Sequence, residues 1–122
     1  MHVVLDDTAM IAAGRGNLLA SRPIHRAHAE PGWYLHAPAC ALVEADRTCP
    51  GTAGHLAALP GVTVLDLDLS AALAVAGDTT WAQAHTRHAA APTPDRPSGA
   101  VVATTEPARW AGQPVRVIDL TP

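Results

Sequence analysis

The fold is decided by one short segment near the amino terminus, which reads Val3-Val4-Leu5-Asp6-Asp7-Thr8. Its first three residues are all apolar, which is typical of a strand that is buried on both faces of a parallel sheet. The two aspartates end this strand, and an apolar helical stretch begins at Thr8. The segment therefore predicts the first strand-to-helix unit of an α/β protein.

The same alternation of strand and helix continues along the chain. Apolar strands are predicted at 33–35, 62–67, 100–104 and 115–120, and helices at 8–13, 18–28, 39–47, 54–59, 71–76 and 80–91. Asn17 and Ser70 are predicted helix caps, and Pro23 should either kink the second helix or delay its start to about Ser21. This alternation predicts a single domain over residues 1–122, with the α/β fold of a three-layer α/β/α sandwich around a central parallel sheet.

The composition excludes several classes of protein. A chain of 122 residues with 48% hydrophobic and 16% charged residues is too apolar to be disordered, and its net charge of −3 does not favour a polybasic nucleic-acid binder. It contains no apolar run of about 18 residues for a membrane helix, and no basic signal-peptide region. Cys40 and Cys49 are too few for a disulfide framework, so we expect reduced thiols and a cytoplasmic protein.

Acidic side chains follow the predicted strands. They are Asp6, Asp7, Asp66, Asp68, Glu106 and Asp119. Ligands of parallel α/β sheets bind at the carboxyl ends of the strands, and converging carboxylates favour a hard divalent cation such as Mg²⁺ or Mn²⁺. Such an ion can activate water and hold a phosphodiester for attack. The alternative is that each acid caps the next helix or lies in solvent.

Two further features narrow the chemistry. The chain has no glycine-rich phosphate-binding motif and contains no lysine, which excludes a P-loop. Glu44 lies among apolar residues on a predicted helix, so it either enters a site or forms a surface ion pair with Arg47, three residues further on.

Three segments resemble, in the same order, the motifs of the PIN domain family. They are Val3-Val-Leu-Asp6-Asp-Thr8-Ala-Met, Pro38-Ala-Cys-Ala-Leu-Val-Glu44-Ala and Ala100-Val-Val-Ala-Thr104-Thr-Glu106-Pro. The resemblance spans nearly the whole chain. It implies a PIN-like parallel sheet with an acidic cluster at its carboxyl edge, and cleavage of RNA that depends on Mg²⁺ or Mn²⁺.

The resemblance also implies roles and partners. Asp6, Glu44 and Glu106 match the family's acids by position and would be the catalytic acids that hold the metal. Asp78 would join them as a ligand only if it caps the next helix and points inward. In an active ribonuclease we expect Arg15 or Arg109 to contact the RNA backbone. Small bacterial members of the family are typically toxins of toxin–antitoxin pairs, so the expected partners are an RNA substrate, an antitoxin protein and a second copy in a homodimer, with no membrane.

One departure from the family pattern leaves two interpretations of the chain open. The family places a third acid on the helix before its last motif, where this chain has Thr80 or Gln83. Asp78 lies two or more residues earlier, and His85 is a possible substitute ligand that would favour Mn²⁺. The chain is therefore either an active ribonuclease or a PIN-like domain that has lost cleavage and binds RNA or protein. Asp6 and Asp66 also suggest a receiver-like domain. Such a domain needs a lysine, however, and this chain contains none.

Overall fold

A computed structural model describes residues 1–122. The elements in chain order are β1 His2–Leu5, α1 Asp7–Gly14, α2 Leu18–Ala29, β2 Tyr34–Pro38, α3 Ala39–Thr48, α4 Thr52–Ala57, β3 Val62–Leu65, α5 Leu69–Ala76, α6 Trp81–Ala90, β4 Val101–Thr104, a 3₁₀ turn Pro107–Trp110 and β5 Arg116–Asp119. None of the helices has both the length and the apolar character needed to cross a membrane.

The five strands form one sheet in the order β3-β2-β1-β4-β5, and every neighbouring pair is parallel. β1 lies at the centre, and Val3, Val4 and Leu5 are completely buried. Their continuous apolar character is what a strand covered on both faces requires. The predicted α/β class and the central parallel sheet are therefore confirmed.

The core lies on both faces of this sheet, as a three-layer sandwich requires. On one face, Val3 and Leu5 of β1 belong to a cluster with apolar residues of α1, α2, α3 and α4. On the other face, Val4 and Val102 pack with Trp110 and with alanines at the end of α6. Since successive strand residues point to opposite faces, three adjacent apolar residues serve both layers.

One predicted helix cap is confirmed and one is corrected. Asn17 caps α2, its Oδ1 accepting the N–H of Ala20 at 3.1 Å, so of the two expected starts the helix has the one at Leu18. Pro23 lies within this helix. Asp68 caps α5 in place of Ser70, because β3 ends earlier than predicted and the carboxylate reaches the N–H of Ala71 at 2.8 Å.

The connections create a crevice at the carboxyl edge of the sheet. From β1 the chain continues to β2 and β3 on one side, whereas β4 and β5 lie on the other side. Ligands of parallel α/β sheets bind where the strand order reverses in this way. In this chain that place is between the ends of β1 and β4, which are followed by Asp6, Asp7 and Glu106.

Candidate functional site

Asp6 is fully buried at the end of β1 and has two structural roles. Its Oδ1 accepts the N–H of Ala9 at 2.9 Å, which caps α1, and also the hydroxyl of Thr8 at 2.6 Å. Its Oδ2 accepts the indole N–H of Trp110 at 3.1 Å. Buried carboxylates need such donors, because leaving them without hydrogen bonds costs several kcal/mol. Asp6 is thus held rigidly by three protein donors.

Threonine hydroxyls join the ends of β1 and β4 beside this aspartate. Thr8 Oγ1 accepts the backbone N–H of Thr105 at 3.0 Å and lies 3.2 Å from Thr104 Oγ1. Thr104 Oγ1 in turn accepts the N–H of Glu106 at 3.0 Å. These contacts fix the start of the turn after β4, and they position both Glu106 and the 3₁₀ turn that follows.

The 3₁₀ turn directs Arg109 into the acidic cluster. Its Nη1 lies 2.7 Å from Asp7 Oδ1 and 3.8 Å from Asp6 Oδ2, and its Nη2 lies 3.0 Å from Glu106 Oε2. The Arg109 side chain is only 18% exposed, whereas that of Glu106 is 61% exposed. Charge-assisted contacts of this length are the strong kind of protein hydrogen bond. The cation among the acids is therefore a guanidinium of the chain itself.

The ion pairs leave the cluster with an excess of negative charge, because three carboxylates share one guanidinium. Burial raises the pKa of the Asp7 carboxyl above its ordinary value, and the opposing charge of Arg109 offsets this only in part. Arg109 Nε is buried with no hydrogen-bond partner. The electrostatic energy of the cluster is therefore unfavourable, and the positive charge of Arg109 reduces the repulsion among the acids.

The residues of this cluster do not fit a divalent cation in their present arrangement. Mg²⁺ and Mn²⁺ need several oxygen ligands that converge on one point. Both oxygens of Asp6 are engaged by protein donors, and the space between Asp7 and Glu106 is filled by Arg109. No three His, Cys, Asp or Glu side chains in residues 1–122 are arranged to hold a metal ion.

A groove of about 710 Å³ opens beside the cluster. Asp7 and Arg109 contribute to its lining, and so do residues at the start of α6. Exposed apolar side chains contribute to its walls, among them Val43, Leu67 and Trp81, of which Trp81 is 66% exposed. Large exposed apolar side chains around a depression are typical of a binding surface.

Glu44 and Arg47 both line this groove from α3. Both are exposed, and no ion pair joins them or joins either to another residue of the chain. Of the two alternatives for Glu44, the surface ion pair with Arg47 is therefore not formed, and both side chains line the groove. Glu44 lines the same groove as Asp7 and Arg109, but it forms no ion pair with Arg109.

The other proposed metal ligands lie elsewhere. Asp78 accepts the N–H of Thr80 at 3.0 Å and pairs with Arg87 Nη2 at 2.6 Å, and it does not line the groove. His85 is buried, and its Nδ1 accepts the backbone N–H of Cys40 at 3.2 Å, so it does not reach the groove as a substitute ligand. Gln83 does line the groove, but an amide carries no charge.

The two arginines predicted to contact RNA have different surroundings. Arg15 is exposed and caps the far end of α1, about 12 Å from the start of that helix. Arg109 is bound to the acids. Sequence reasoning missed this second arrangement, although one signal was present. Arg109 follows Glu106 by three residues, which is a spacing that brings opposite charges together in a helical turn.

No protein-family model matches the chain, and no curated protein matches it significantly.

Proposed function

We propose that this chain is a PIN-like domain that acts as a protein-binding module, and that Arg109 takes the place of a metal ion in its acidic cluster. The observation that carries the proposal is the position of Arg109, whose guanidinium contacts Asp7 and Glu106 at 2.7 and 3.0 Å. A cation supplied by the chain offsets part of the acids' negative charge without supplying activated water. Because both cysteines are free, we place the protein in the cytoplasm.

The groove favours a protein partner over RNA. Affinity for RNA comes largely from lysine and arginine side chains that neutralise phosphates. Here the net charge is −3, Arg109 is already paired, and Arg47 shares its helix face with Glu44. By contrast, exposed aromatic side chains such as Trp81 are enriched in protein interfaces.

The second candidate function is that of a metal-dependent ribonuclease, with the RNA substrate and the antitoxin partner that the resemblance implies. It is favoured by the excess of carboxylates, since Asp6, Asp7 and Glu106 share one guanidinium and Glu44 borders the same groove. This function requires Arg109 to leave the cluster, which would expose the acids to solvent ions.

Cleavage of RNA separates the two candidates. Wild-type protein and the Asp6→Asn variant should cleave a mixed-sequence RNA oligonucleotide equally little in Mg²⁺ or Mn²⁺, as measured by gel electrophoresis of labelled RNA. Any residual cleavage should come from a contaminating nuclease, and it should therefore be equal in the two preparations. Cleavage by the wild type that disappears in Asp6→Asn would establish the ribonuclease and reject the binding module.

A further inference from the structure

A second cluster of ionisable side chains lies away from the acidic cluster, where β1 begins. His2 is the first residue of β1 and His36 lies on the adjacent strand β2, with His2 Nδ1 3.0 Å from His36 Nε2. Arg96 brings its Nη1 to 3.3 Å from the same His36 nitrogen. Strand residues advance by about 3.3 Å each, so His2 and Asp6 are about 13 Å apart along β1. The two clusters are therefore separate sites.

A hydrogen-bonded turn between α6 and β4 carries Arg96. The Thr93 N–H donates to the Arg96 carbonyl at 3.0 Å, and the Arg96 N–H donates to the Thr93 carbonyl at 3.1 Å and to Thr93 Oγ1 at 3.0 Å. The N–H of Gly99 also donates to the Arg96 carbonyl, at 2.8 Å. These bonds fix the backbone of Arg96, so its side chain starts from a defined point beside the two histidines.

No negative charge balances this cluster. No carboxylate oxygen lies within 4.0 Å of a side-chain nitrogen of His2, His36 or Arg96. Burial, followed by the charges of Arg96 and His2, lowers the pKa of His36 to about 4. Burial, followed by the charges of Arg96 and the terminal ammonium, also lowers the pKa of His2. Groups whose pKa values are shifted in this way are typical of functional sites, and the charge that this cluster lacks is that of an anion.

Three nitrogens of the cluster are available to a ligand. Arg96 Nε and Nη2 have no hydrogen-bond partner in the chain, and neither has His2 Nε2, yet none of them is buried. Because arginine only donates, His36 Nε2 carries a lone pair, and His2 Nδ1 therefore carries the hydrogen that points to it. His2 Nε2 is then an acceptor in the neutral ring and a donor only in the protonated ring. An anion therefore selects the protonated form of His2.

We infer that Arg96 and His2 bind a small dianionic oxyanion, namely a phosphate group, and that His2 takes up a proton when it binds. The guanidinium supplies one positive charge and two free donors, and the imidazolium supplies a second charge. Tyr34 stacks on His2 with ring centroids 4.7 Å apart and is 52% exposed, which leaves an aromatic surface for an organic group attached to the phosphate. This site does not involve the acidic cluster, so its test leaves the proposed function undecided.

NMR titration of the ring resonances of His2 and His36 tests the site. Sodium sulfate is the first probe, because sulfate keeps both charges across the pH range and any pH dependence then belongs to the protein. Sodium chloride at equal ionic strength is the control. We expect sulfate to shift these resonances saturably at pH 6.5. Its affinity should be about threefold weaker or more at pH 7.5, because the protonated form of His2 becomes rarer as the pH rises.

Substitutions assign the effect to the two residues. Arg96→Gln should weaken sulfate binding about tenfold, and His2→Gln should leave weaker binding that no longer depends on pH. Arg22→Gln and His28→Gln, which change an exposed arginine and an exposed histidine of α2, should bind as the wild type does.

Two further probes identify the source of the phosphate group. Tighter binding of phenyl phosphate than of inorganic phosphate would assign a phosphorylated organic compound, whereas equal affinity would assign free phosphate. The inference would be overturned by shifts that chloride reproduces, by sulfate binding that Arg96→Gln leaves unchanged, or by an affinity that is the same at both pH values.

Discussion

Replacing Arg109 with methionine should lower the free energy of unfolding by about 3 kcal/mol, because removal of one partner from a largely buried ion pair leaves charge unpaired. Asp6 and Asp7 are buried, and Asp7 loses its contact at 2.7 Å. Methionine keeps most of the side-chain volume, so the loss reports charge more than packing. Urea unfolding at neutral pH measures it as a lower midpoint with an unchanged slope.

Two controls assign the effect to the cluster. Arg116→Met removes an exposed arginine whose side chain bonds only the carbonyl of Ser98, and it should change stability by less than about 0.5 kcal/mol. The double variant Asp7→Asn with Arg109→Met should lose less free energy of unfolding than the two single variants together. The asparagine is uncharged, so removal of Arg109 then leaves no unpaired charge at this position. Strict additivity would show that Arg109 does not hold Asp7 in place.

Acid should destabilise the fold through His36, which lies on β2 beside His2 and Arg96. His36 Nε2 lies 3.3 Å from Arg96 Nη1 and 3.0 Å from His2 Nδ1. Since arginine only donates, these contacts assign a lone pair to Nε2 and the proton to Nδ1. Burial, followed by the charges of Arg96 and His2, lowers the pKa of His36 from 6.5 to about 4.

The sign of the pH effect follows from this depressed pKa. Between pH 6.5 and pH 4 the unfolded chain binds a proton at His36 that the folded chain does not, so stability is lost as the pH falls through this window and levels off below it. A pKa difference of about 2.5 corresponds to a loss of about 3 kcal/mol. Urea unfolding across this range should therefore give midpoints that fall steadily.

Substitution isolates the contribution of this one histidine. His36→Gln should flatten the fall in stability between pH 6.5 and pH 4, whatever its effect at pH 7. His28→Gln, which changes an exposed histidine of α2, should leave the profile as it is in the wild type. If His36→Gln kept the full slope, the loss would have to come from other groups.

The fold could be predicted because the apolar patterns that determine its strands and helices lie within short segments of the chain. An apolar run such as Val3-Val4-Leu5 with no polar alternation can only serve a strand covered on both faces. The acids that follow β1 and β4 come together because parallel strands end at a common edge, and Asp6 and Glu106 were predicted there for that reason. The error at Ser70 concerns only which residue caps a helix.

The occupant of the acidic cluster could not be predicted in the same way. Asp7 is 102 residues from Arg109 in the sequence, so their contact depends on how the 3₁₀ turn packs beside the end of β1. Asp78 was placed by its position before α6, yet its direction is set by Arg87. Such tertiary contacts leave no periodic signal in the sequence.

Calorimetric titration of Mn²⁺ into the wild-type protein, with Asp6→Asn titrated in parallel, shows whether Arg109 takes the place of a metal ion as we propose. We expect millimolar Mn²⁺ to produce no binding heat with either protein. Binding by the wild type that is lost in Asp6→Asn would contradict it, because the acids would then hold a metal ion despite the guanidinium between them.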